Sequence, residues 1–252
     1  MGPDFLVARR KERAGSSGYS GWLGFEPDEK QAELLRRPFR RLLLNCTRQW
    51  GKSTITAAKA VEHARTRAES LTLVVSPSGR QSNEFLRKAG EFMQRLGMKL
   101  RGDGGNDMSL VFPNGSRIVR LPGSEGTVRG FSAASLIVID EAARVPDDLY
   151  RAMRPMLAVG DGDLWLMSTP WGKRGFFWNE WSKGGEQWER VSVPATECAR
   201  IPARFLAEER VSQGDRWFRQ EYMCEFTEAA EAMFDLEMIE RCFTDDVKPL
   251  NL

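Results

Sequence analysis

The 252-residue chain has little histidine, little cysteine and almost no excess of charge of either sign. It contains one histidine, His63, and four widely spaced cysteines, Cys46, Cys198, Cys224 and Cys242, with no Cys-x-x-Cys pair. These residues do not match the ligand spacing of a zinc site, and a Ser-His-Asp triad would require His63 to be placed by chance. The cysteine usage favours reduced, mostly buried thiols in a cytosolic protein. Zinc and disulfide scaffolds are therefore excluded as the basis of the fold.

Long hydrophobic runs are also absent. The longest, such as Leu136 to Ile139, are far shorter than the roughly 18 residues that a membrane-spanning helix needs. No charged-then-apolar signal segment opens the chain, and the hydrophobic fraction of 41% is ordinary for a globular protein. The formal net charge is only +2, so bulk charge gives no indication of nucleic-acid binding. We therefore expect a globular protein without a membrane segment.

Short apolar runs of β type alternate with helical patterns from Arg41 onward. The runs are Leu42–Asn45, Leu71–Ser76, Leu136–Asp140, Leu164–Ser168 and, more weakly, Trp188–Val193. The helical patterns span Ser53–Arg67 and Gln81–Leu96. Continuous apolar strands separated by helices are typical of a parallel sheet covered on both faces. We therefore predict an α/β fold with a mainly parallel central sheet flanked by helices.

The ends of the chain and one hairpin depart from this alternation. Leu110–Phe112 and Arg117–Leu121 flank a turn centred on Asn114-Gly115, which predicts a β-hairpin. Residues 1–21 are basic and then rich in glycine and serine, which predicts an arm that is either a solvated tail or a contact to nucleic acid or a neighbouring subunit. Pro202–Val211 and Asp215–Glu221 are helical and charged. We therefore expect an arm at 1–21, an α/β core at 22–195 and a small helical C-terminal subdomain at 196–252.

A phosphate-binding loop follows the first predicted strand. Gly51, Lys52 and Ser53 match the end of the pattern Gly-x-x-x-x-Gly-Lys-Ser/Thr, with Cys46 in place of its first glycine. Backbone N–H groups at a helix start would face the β-phosphate, Lys52 would neutralise β- and γ-oxygens, and the Ser53 hydroxyl would bind Mg²⁺. An extra arginine in the loop, Arg48, either contacts the γ-phosphate or is a surface charge. The predicted nucleotide-binding residues here are Cys46, Thr47, Arg48, Gln49, Trp50, Gly51, Lys52, Ser53 and Thr54.

Two further polar motifs end apolar strands. Leu136–Ile139 runs into Asp140-Glu141, and Leu164–Met167 runs into Ser168-Thr169-Pro170. In open α/β sheets ligands bind at the carboxyl ends of the strands. Asp140 would hold Mg²⁺, and Glu141 would polarise a water for in-line attack on the γ-phosphate. The hydroxyls of the third motif either bind that water or report loss of the γ-phosphate, or they are ordinary turn residues.

Taken in this order, the three motifs resemble the ATPase domain of the large terminase subunit, the DNA-packaging motor of tailed double-stranded DNA phages. The resemblance rests on Thr47–Ser53, on Leu136–Ala142, and on Met167–Pro170 followed by Gly175–Trp178. It runs from about Phe25 to Phe234. It implies a RecA-like P-loop NTPase fold with a lid-like C-terminal subdomain, and Mg²⁺-dependent ATP hydrolysis that drives DNA into a procapsid.

The resemblance also implies roles for further residues. Gln31, after Phe25-Glu26-Pro27, would read the adenine edge, although the same stretch also suits the start of an amphipathic helix. Arg129, in Thr127–Gly130, would be an arginine finger acting in trans on a neighbour's ATP, with Arg48 as the rival finger in cis. Ser168, Thr169 and Pro170 would form the coupling motif.

The partners implied by the resemblance are double-stranded DNA bound without sequence preference, the portal protein and the small terminase subunit. The motor would be a ring, expected to be pentameric, in the host cytoplasm. Candidate DNA-contacting residues are Arg101, Arg117 and Arg120, with solvated charges as the alternative. Only 26 residues, 227–252, follow Phe226, too few for the family's nuclease domain, so we expect no DNA cleavage by this chain.

Two other functions remain open on sequence grounds. A helicase-like DNA-dependent ATPase would need a second motor domain or further arginine motifs downstream. A nucleotide-gated assembly module would bind ATP to form a ring and scarcely hydrolyse it alone.

Overall fold

One central sheet organises the computed structural model, which describes residues 21–101, 109–121 and 130–228. Within these ranges seven strands lie in the order β3-β4-β2-β5-β6-β1-β7. Their bounds are β1 Arg41–Cys46, β2 Leu71–Val75, β3 Ser109–Val111, β4 Arg117–Leu121, β5 Leu136–Asp140, β6 Asp163–Ser168 and β7 Glu189–Val193. All neighbouring pairs are parallel except β3 and β4. The predicted mainly parallel α/β sheet is therefore confirmed.

Helices cover both faces of the sheet. They are α1 Glu29–Arg36, α2 Lys52–Thr66, α3 Gly79–Arg95, α4 Asp147–Met153, α5 Gly175–Lys183, α6 Ala203–Gln213 and α7 Asp215–Glu221. Successive strand residues point to opposite faces, and the two sets enter two cores. Leu136 and Val138 of β5 join the core that contains α1, α2 and α3, whereas Ile137 and Ile139 join the core that contains α4 and α5. Burial on both faces explains why these strands read as continuous apolar runs.

The hairpin predicted around Asn114-Gly115 is present as β3 and β4, with Leu110 opposite Ile118. Gly115 has φ 82°, a left-handed conformation that suits glycine at the turn. The helices α4 and α5 were not predicted from the sequence. Both are short, and α5 begins at a tertiary contact, because the amide of Phe176 donates to Asp147 Oδ1 at 2.8 Å.

The parallel register brings three strand ends to one edge. In β1 and β6, Asn45 pairs with Ser168, and in β5 and β6, Asp140 pairs with Met167. The carboxyl ends of β1, β5 and β6 are therefore neighbours, as β5-β6-β1 is the strand order there. This edge is where an open α/β sheet binds its ligand.

The helical C-terminal segment lies against this edge. Leu206 of α6 and Phe218 of α7 share a small separate core with Ala195. The chain that follows α7 then runs back over the sheet, where Asn45 Nδ2 donates to the Cys224 carbonyl at 2.7 Å. The helices α6 and α7 lie within the C-terminal subdomain that was predicted at 196–252. Residues 1–20 of the predicted arm and the residues from 229 onward lie outside the described residues. The domain boundaries therefore stay predictions.

The lone histidine lies away from this edge, near the amino ends of the strands. His63 Nε2 is 3.0 Å from Ser135 Oγ, and Nδ1 is 3.9 Å from Asp163 Oδ2. Arg67 donates to Nδ1 at 3.1 Å, so Nε2 carries the proton and donates to Ser135. The Ser135 hydroxyl in turn donates to the Leu71 carbonyl at 3.0 Å. The three residue types of a triad meet here, but the hydrogen bonds run in the wrong direction to activate the serine.

Three of the cysteines, Cys46, Cys198 and Cys224, are free and buried, as expected, while Cys242 lies outside the described residues. Burial raises the pKa of the Cys46 and Cys224 thiols, which keeps both protonated and unreactive. In the part of the chain that the structure describes, no helix is both long and apolar enough to span a bilayer.

Candidate active site

The phosphate loop connects β1 to α2 through two left-handed residues. Gln49 has φ 67° and Gly51 has φ 96°, and Gly51 is the residue immediately before α2. Gly51 adopts its left-handed conformation without steric cost, because glycine has no side chain. The first N–H groups of α2 have no acceptor within the helix, and the positive end of the helix dipole favours an anion at this point.

The two acidic residues that end β5 meet the start of α2. Ser53 Oγ donates to Asp140 Oδ2 at 3.0 Å, and Lys52 Nζ pairs with Glu141 Oε1 at 3.1 Å. Glu141 itself has a left-handed backbone, φ 52°, and its amide donates to Asp140 Oδ1 at 3.0 Å. The sequence prediction that these four side chains form one site is therefore consistent with their geometry.

Asp140 is in an unusual electrostatic environment. Burial, and next the negative charge of Glu141, raise the pKa of the Asp140 carboxyl to about 6. Lys52 and the Ser53 hydroxyl act in the opposite direction and do not compensate for the burial. A carboxylate that is costly to ionise in the protein alone is well suited to a bound cation, whose charge would keep it ionised.

An open cleft of about 260 Å³ lies over these residues. It is slightly smaller than a typical small-molecule pocket. Three of its side chains are cationic and one is acidic, which suits a polyanion held beside a catalytic carboxylate. The lining residues are Arg48, Gln49, Lys52, Gln81, Glu141 and Arg144.

The Ser-Thr-Pro segment contacts the same carboxylate. Ser168 Oγ accepts from the Ala143 amide at 3.2 Å and donates to Glu141 Oε2 at 3.4 Å. Thr169 Oγ1 accepts from Arg144 Nη1 at 3.3 Å, and Pro170 follows, buried. Of the two hydroxyls that were predicted to couple hydrolysis to movement, Ser168 thus bonds Glu141 directly, and Thr169 is linked to it through Arg144.

Two residues of this cluster were not identified from the sequence. Arg144 donates to Glu141 Oε2 and to Glu221 Oε1, both at 3.2 Å. Glu221, at the end of α7, also accepts from Arg48 Nε at 2.7 Å. Arg144 lies three residues after Glu141. This short spacing was the feature of the sequence that could have indicated its role. Glu221 carries no local signal, because only the fold brings it to the phosphate loop.

Gln31 lies beside the phosphate loop, and both its amide nitrogen and its amide oxygen form hydrogen bonds within the chain. Its Nε2 donates to the Trp50 carbonyl at 2.7 Å, and its Oε1 accepts from the Asp28 amide at 3.1 Å. Arg200 also donates to the Trp50 carbonyl, and the Trp50 indole donates to Asp28 Oδ2 at 2.9 Å. Gln31 is only 1% exposed. Contact with adenine stays a prediction.

The three arginines that were predicted to contact DNA lie at or beside the hairpin, since the Arg101 carbonyl accepts from the Val111 amide at 2.9 Å and Val111 is opposite Arg117. Arg129 lies outside the described residues. Arg101 is exposed, and Arg117 and Arg120 are half-buried on β4. Because they are three residues apart on one strand, Arg117 and Arg120 point to opposite faces of the sheet. The strand alone therefore does not form a single arginine patch for DNA.

Comparison with known proteins gives consistent matches. The family described as terminase large subunit, T4likevirus-type, N-terminal, matches residues 43–241. The large terminase subunit of Thermus phage G20c is 25% identical over 256 residues, which cover 86% of this chain and 52% of that protein. The corresponding subunit of Thermus virus P23-45 matches with the same values. The chain thus spans about half the length of these curated relatives.

Solved structures match the fold. The large terminase ATPase domain of Thermus phage P74-26 superimposes with a TM-score of 0.73 at 21% identity, covering 84% of this chain and 98% of that domain. The large terminase of another thermophilic bacteriophage, in complex with ADP, gives a TM-score of 0.68 at 13% identity, covering 83% of this chain and 56% of that protein. These similarities confirm the predicted RecA-like P-loop fold.

Proposed function

Because the chain belongs to the terminase large-subunit family, we propose that it is a Mg²⁺-dependent ATPase whose turnover drives double-stranded DNA into a viral procapsid. One observation carries the proposal. Lys52 and Ser53, from the start of α2, meet Asp140 and Glu141, from the end of β5, at 3.0–3.1 Å, and Lys52 and Glu141 line a cationic cleft. These are the parts that phosphoryl transfer to water requires: a phosphate cradle, a metal ligand pair and a base.

The donor set fits magnesium. Mg²⁺ prefers oxygen ligands and usually retains several waters, so that one or two protein oxygens and the substrate phosphates complete its shell. Ser53 Oγ and Asp140 Oδ2 offer such a pair, 3.0 Å apart. In the described part of the chain no cluster of three or more acidic, cysteine or histidine side chains could hold a metal. When bound, the ion would neutralise the β- and γ-phosphate oxygens.

The catalytic step follows from a change of partners. Lys52 is held by Glu141 Oε1, and a triphosphate in the cleft would attract its ammonium group to the β- and γ-oxygens. Glu141 Oε1 is then free to accept a proton from a water aligned with the γ-phosphorus. Ser168 Oγ, which contacts Glu141 Oε2, would report the loss of the γ-phosphate to the strand β6.

The finer proposals concern the assembly. We expect a pentameric ring in the host cytoplasm, in which Arg129 acts as a trans finger and Arg48 is the cis rival. Double-stranded DNA would be bound without sequence preference through Arg101, Arg117 and Arg120, with the portal protein and small terminase subunit as further partners.

The test is ATP turnover by Glu141→Gln in the presence of Mg²⁺ and double-stranded DNA. We expect at least about a 100-fold loss of turnover, the usual contribution of a general base, with nucleotide binding retained. Lys52→Ala should lose binding as well. Glu208→Gln, on the exposed surface of α6, is the matched control and should behave like the wild type. Unchanged turnover of Glu141→Gln would refute the assignment, and negligible wild-type turnover at every protein concentration would support the assembly module.

A further inference from the structure

Arg144 joins three parts of the molecule that the proposed ATPase must coordinate. Its Nη1 donates to Glu141 Oε2 and to Thr169 Oγ1, at 3.2 and 3.3 Å. Its Nη2 donates to Glu221 Oε1 at 3.2 Å. One guanidinium thus bonds the acidic end of β5, the segment after β6 and the end of α7.

The guanidinium is fixed on its face as well as along its edges. Its carbon lies 4.4 Å from the centroid of the Trp171 ring, a cation–π contact. The side chain is 23% exposed, and Glu221 is only 4% exposed. Lys52, by comparison, has Glu141 as its carboxylate partner. A phosphate in the cleft would therefore draw Lys52 away from Glu141 more readily than it would draw Arg144 away. To leave its place, Arg144 would have to give up three acceptors and the ring contact.

We propose, on the basis of the ATPase function above, that Arg144 is the positioning residue for the catalytic carboxylate of Glu141. When Lys52 turns to the phosphates, Glu141 Oε1 is released while Arg144 keeps Oε2. The carboxylate then pivots about one retained bond and presents Oε1 to the water. Without Arg144, the 3.4 Å contact from Ser168 would hold Oε2 alone, and a displacement of about 1 Å can cost about 100-fold in rate.

The same residue would make the rate depend on the C-terminal helices. Glu221 orients Arg144 from α7, and Trp171 packs edge-on against Trp217 of the same helix, with ring centroids 6.0 Å apart. A shift of α7 would therefore move the guanidinium and, through it, the Glu141 carboxylate. The Arg144 side chain would thus link the position of the C-terminal helices to the rate of ATP hydrolysis.

The test measures kcat, KM and nucleotide affinity for Arg144→Ala and Arg144→Lys, with Mg²⁺ and double-stranded DNA. Arg144→Ala should lower kcat about 10- to 100-fold, and this loss should exceed any loss of nucleotide affinity that follows because Arg144 also lines the cleft. Arg144→Lys should recover part of the loss, because the single ammonium group can reach Glu141 but lacks the second nitrogen with which Arg144 holds Glu221 at the same time. Arg151→Ala is the matched control, since Arg151 is an exposed partner of Asp148 on α4.

A second variant and a double variant keep the test decisive. Glu221→Gln removes the negative charge that anchors Arg144 but keeps a hydrogen-bond acceptor, so it should lower kcat by less than Arg144→Ala does, and it stays informative if Arg144→Ala fails to fold. Because Glu221 also pairs with Arg48, nucleotide affinity is measured alongside kcat. In the Glu141→Gln background, followed by single-turnover product formation over hours, Arg144→Ala should add no more than about a threefold loss, because effects through a shared group are not additive.

Three results would overturn the inference and leave the ATPase proposal intact. They are an Arg144→Ala kcat equal to the wild type while Glu141→Gln is inactive, an effect on affinity alone, and full additivity with Glu141→Gln. A Glu141→Gln variant as active as the wild type would instead refute the proposed function itself.

Discussion

Replacement of Gln31 by alanine separates two roles that one side chain was assigned. In the structure Gln31 is a brace for the phosphate loop, with its Nε2 on the Trp50 carbonyl and its Oε1 on the Asp28 amide. Gln31→Ala removes both hydrogen bonds, each worth about 1 kcal/mol net. Arg200 still donates to the Trp50 carbonyl, so that acceptor keeps one partner. We expect a loss of about 2 kcal/mol in the free energy of unfolding.

Such a loss lowers Tm by about 4–8 °C in a domain of this size, measured by chemical and thermal denaturation. The brace role predicts that affinities for ATP and GTP fall by similar factors, because the loop that contacts the phosphates is loosened. Gln94→Ala, on the exposed side of α3, is the control and should change neither quantity. A loss confined to ATP, with unchanged stability, would refute the brace and support adenine recognition.

Three further predictions concern stability, protonation and assembly. Leu166→Ala, at a fully buried position in β6, should lower the free energy of unfolding, measured with denaturant, by about 3 kcal/mol. Val159→Ala, at a position that is 83% exposed, should leave it almost unchanged. Equal losses in the two variants would contradict the packing. Burial, and next the charge of Arg67, lower the pKa of His63 to about 4. The unfolded state therefore binds the proton first as the pH falls, and the free energy of unfolding should decline from about pH 6.5 towards pH 4. An NMR titration of this sole histidine with a midpoint near 6.5 would disprove this prediction. Mixing Arg129→Ala with Glu141→Ala subunits should restore some ATP turnover if the finger acts in trans, and absence of rescue where rings form would favour Arg48.

The sheet was predictable because its strands are buried on both faces. Leu136–Ile139 reads as an uninterrupted apolar run followed by Asp140 and Glu141, and β5 spans Leu136–Asp140, the bounds that were predicted. The helix α5 was missed because its first turn, which begins at Gly175, is held by a hydrogen bond from the Phe176 amide to Asp147, 29 positions away. A local pattern cannot reveal a helix whose first turn is stabilised by another element.

The site was predictable where its chemistry is local. Asp140 and Glu141 come at the end of β5, and Lys52 and Ser53 begin the helix that a short loop joins to β1, so the order of the strands brings the two pairs to one edge of the sheet. Glu221 was not predictable as a site residue, because it is 173 positions from its partner Arg48 and is typical of any charged helix. Arg144 lies two residues after the motif Leu136–Ala142, and its three acceptors come from three separate parts of the fold.

A crystal structure with a non-hydrolysable ATP analogue and Mg²⁺ tests the central claim most directly. The account predicts that the triphosphate lies in the cleft beside Gly51, with Lys52 Nζ on phosphate oxygens and no longer on Glu141. It also predicts that Ser53 Oγ and the Asp140 carboxylate lie next to the metal ion. A triphosphate bound elsewhere, or a Lys52 that keeps its 3.1 Å contact with Glu141 beside a bound nucleotide, would contradict it.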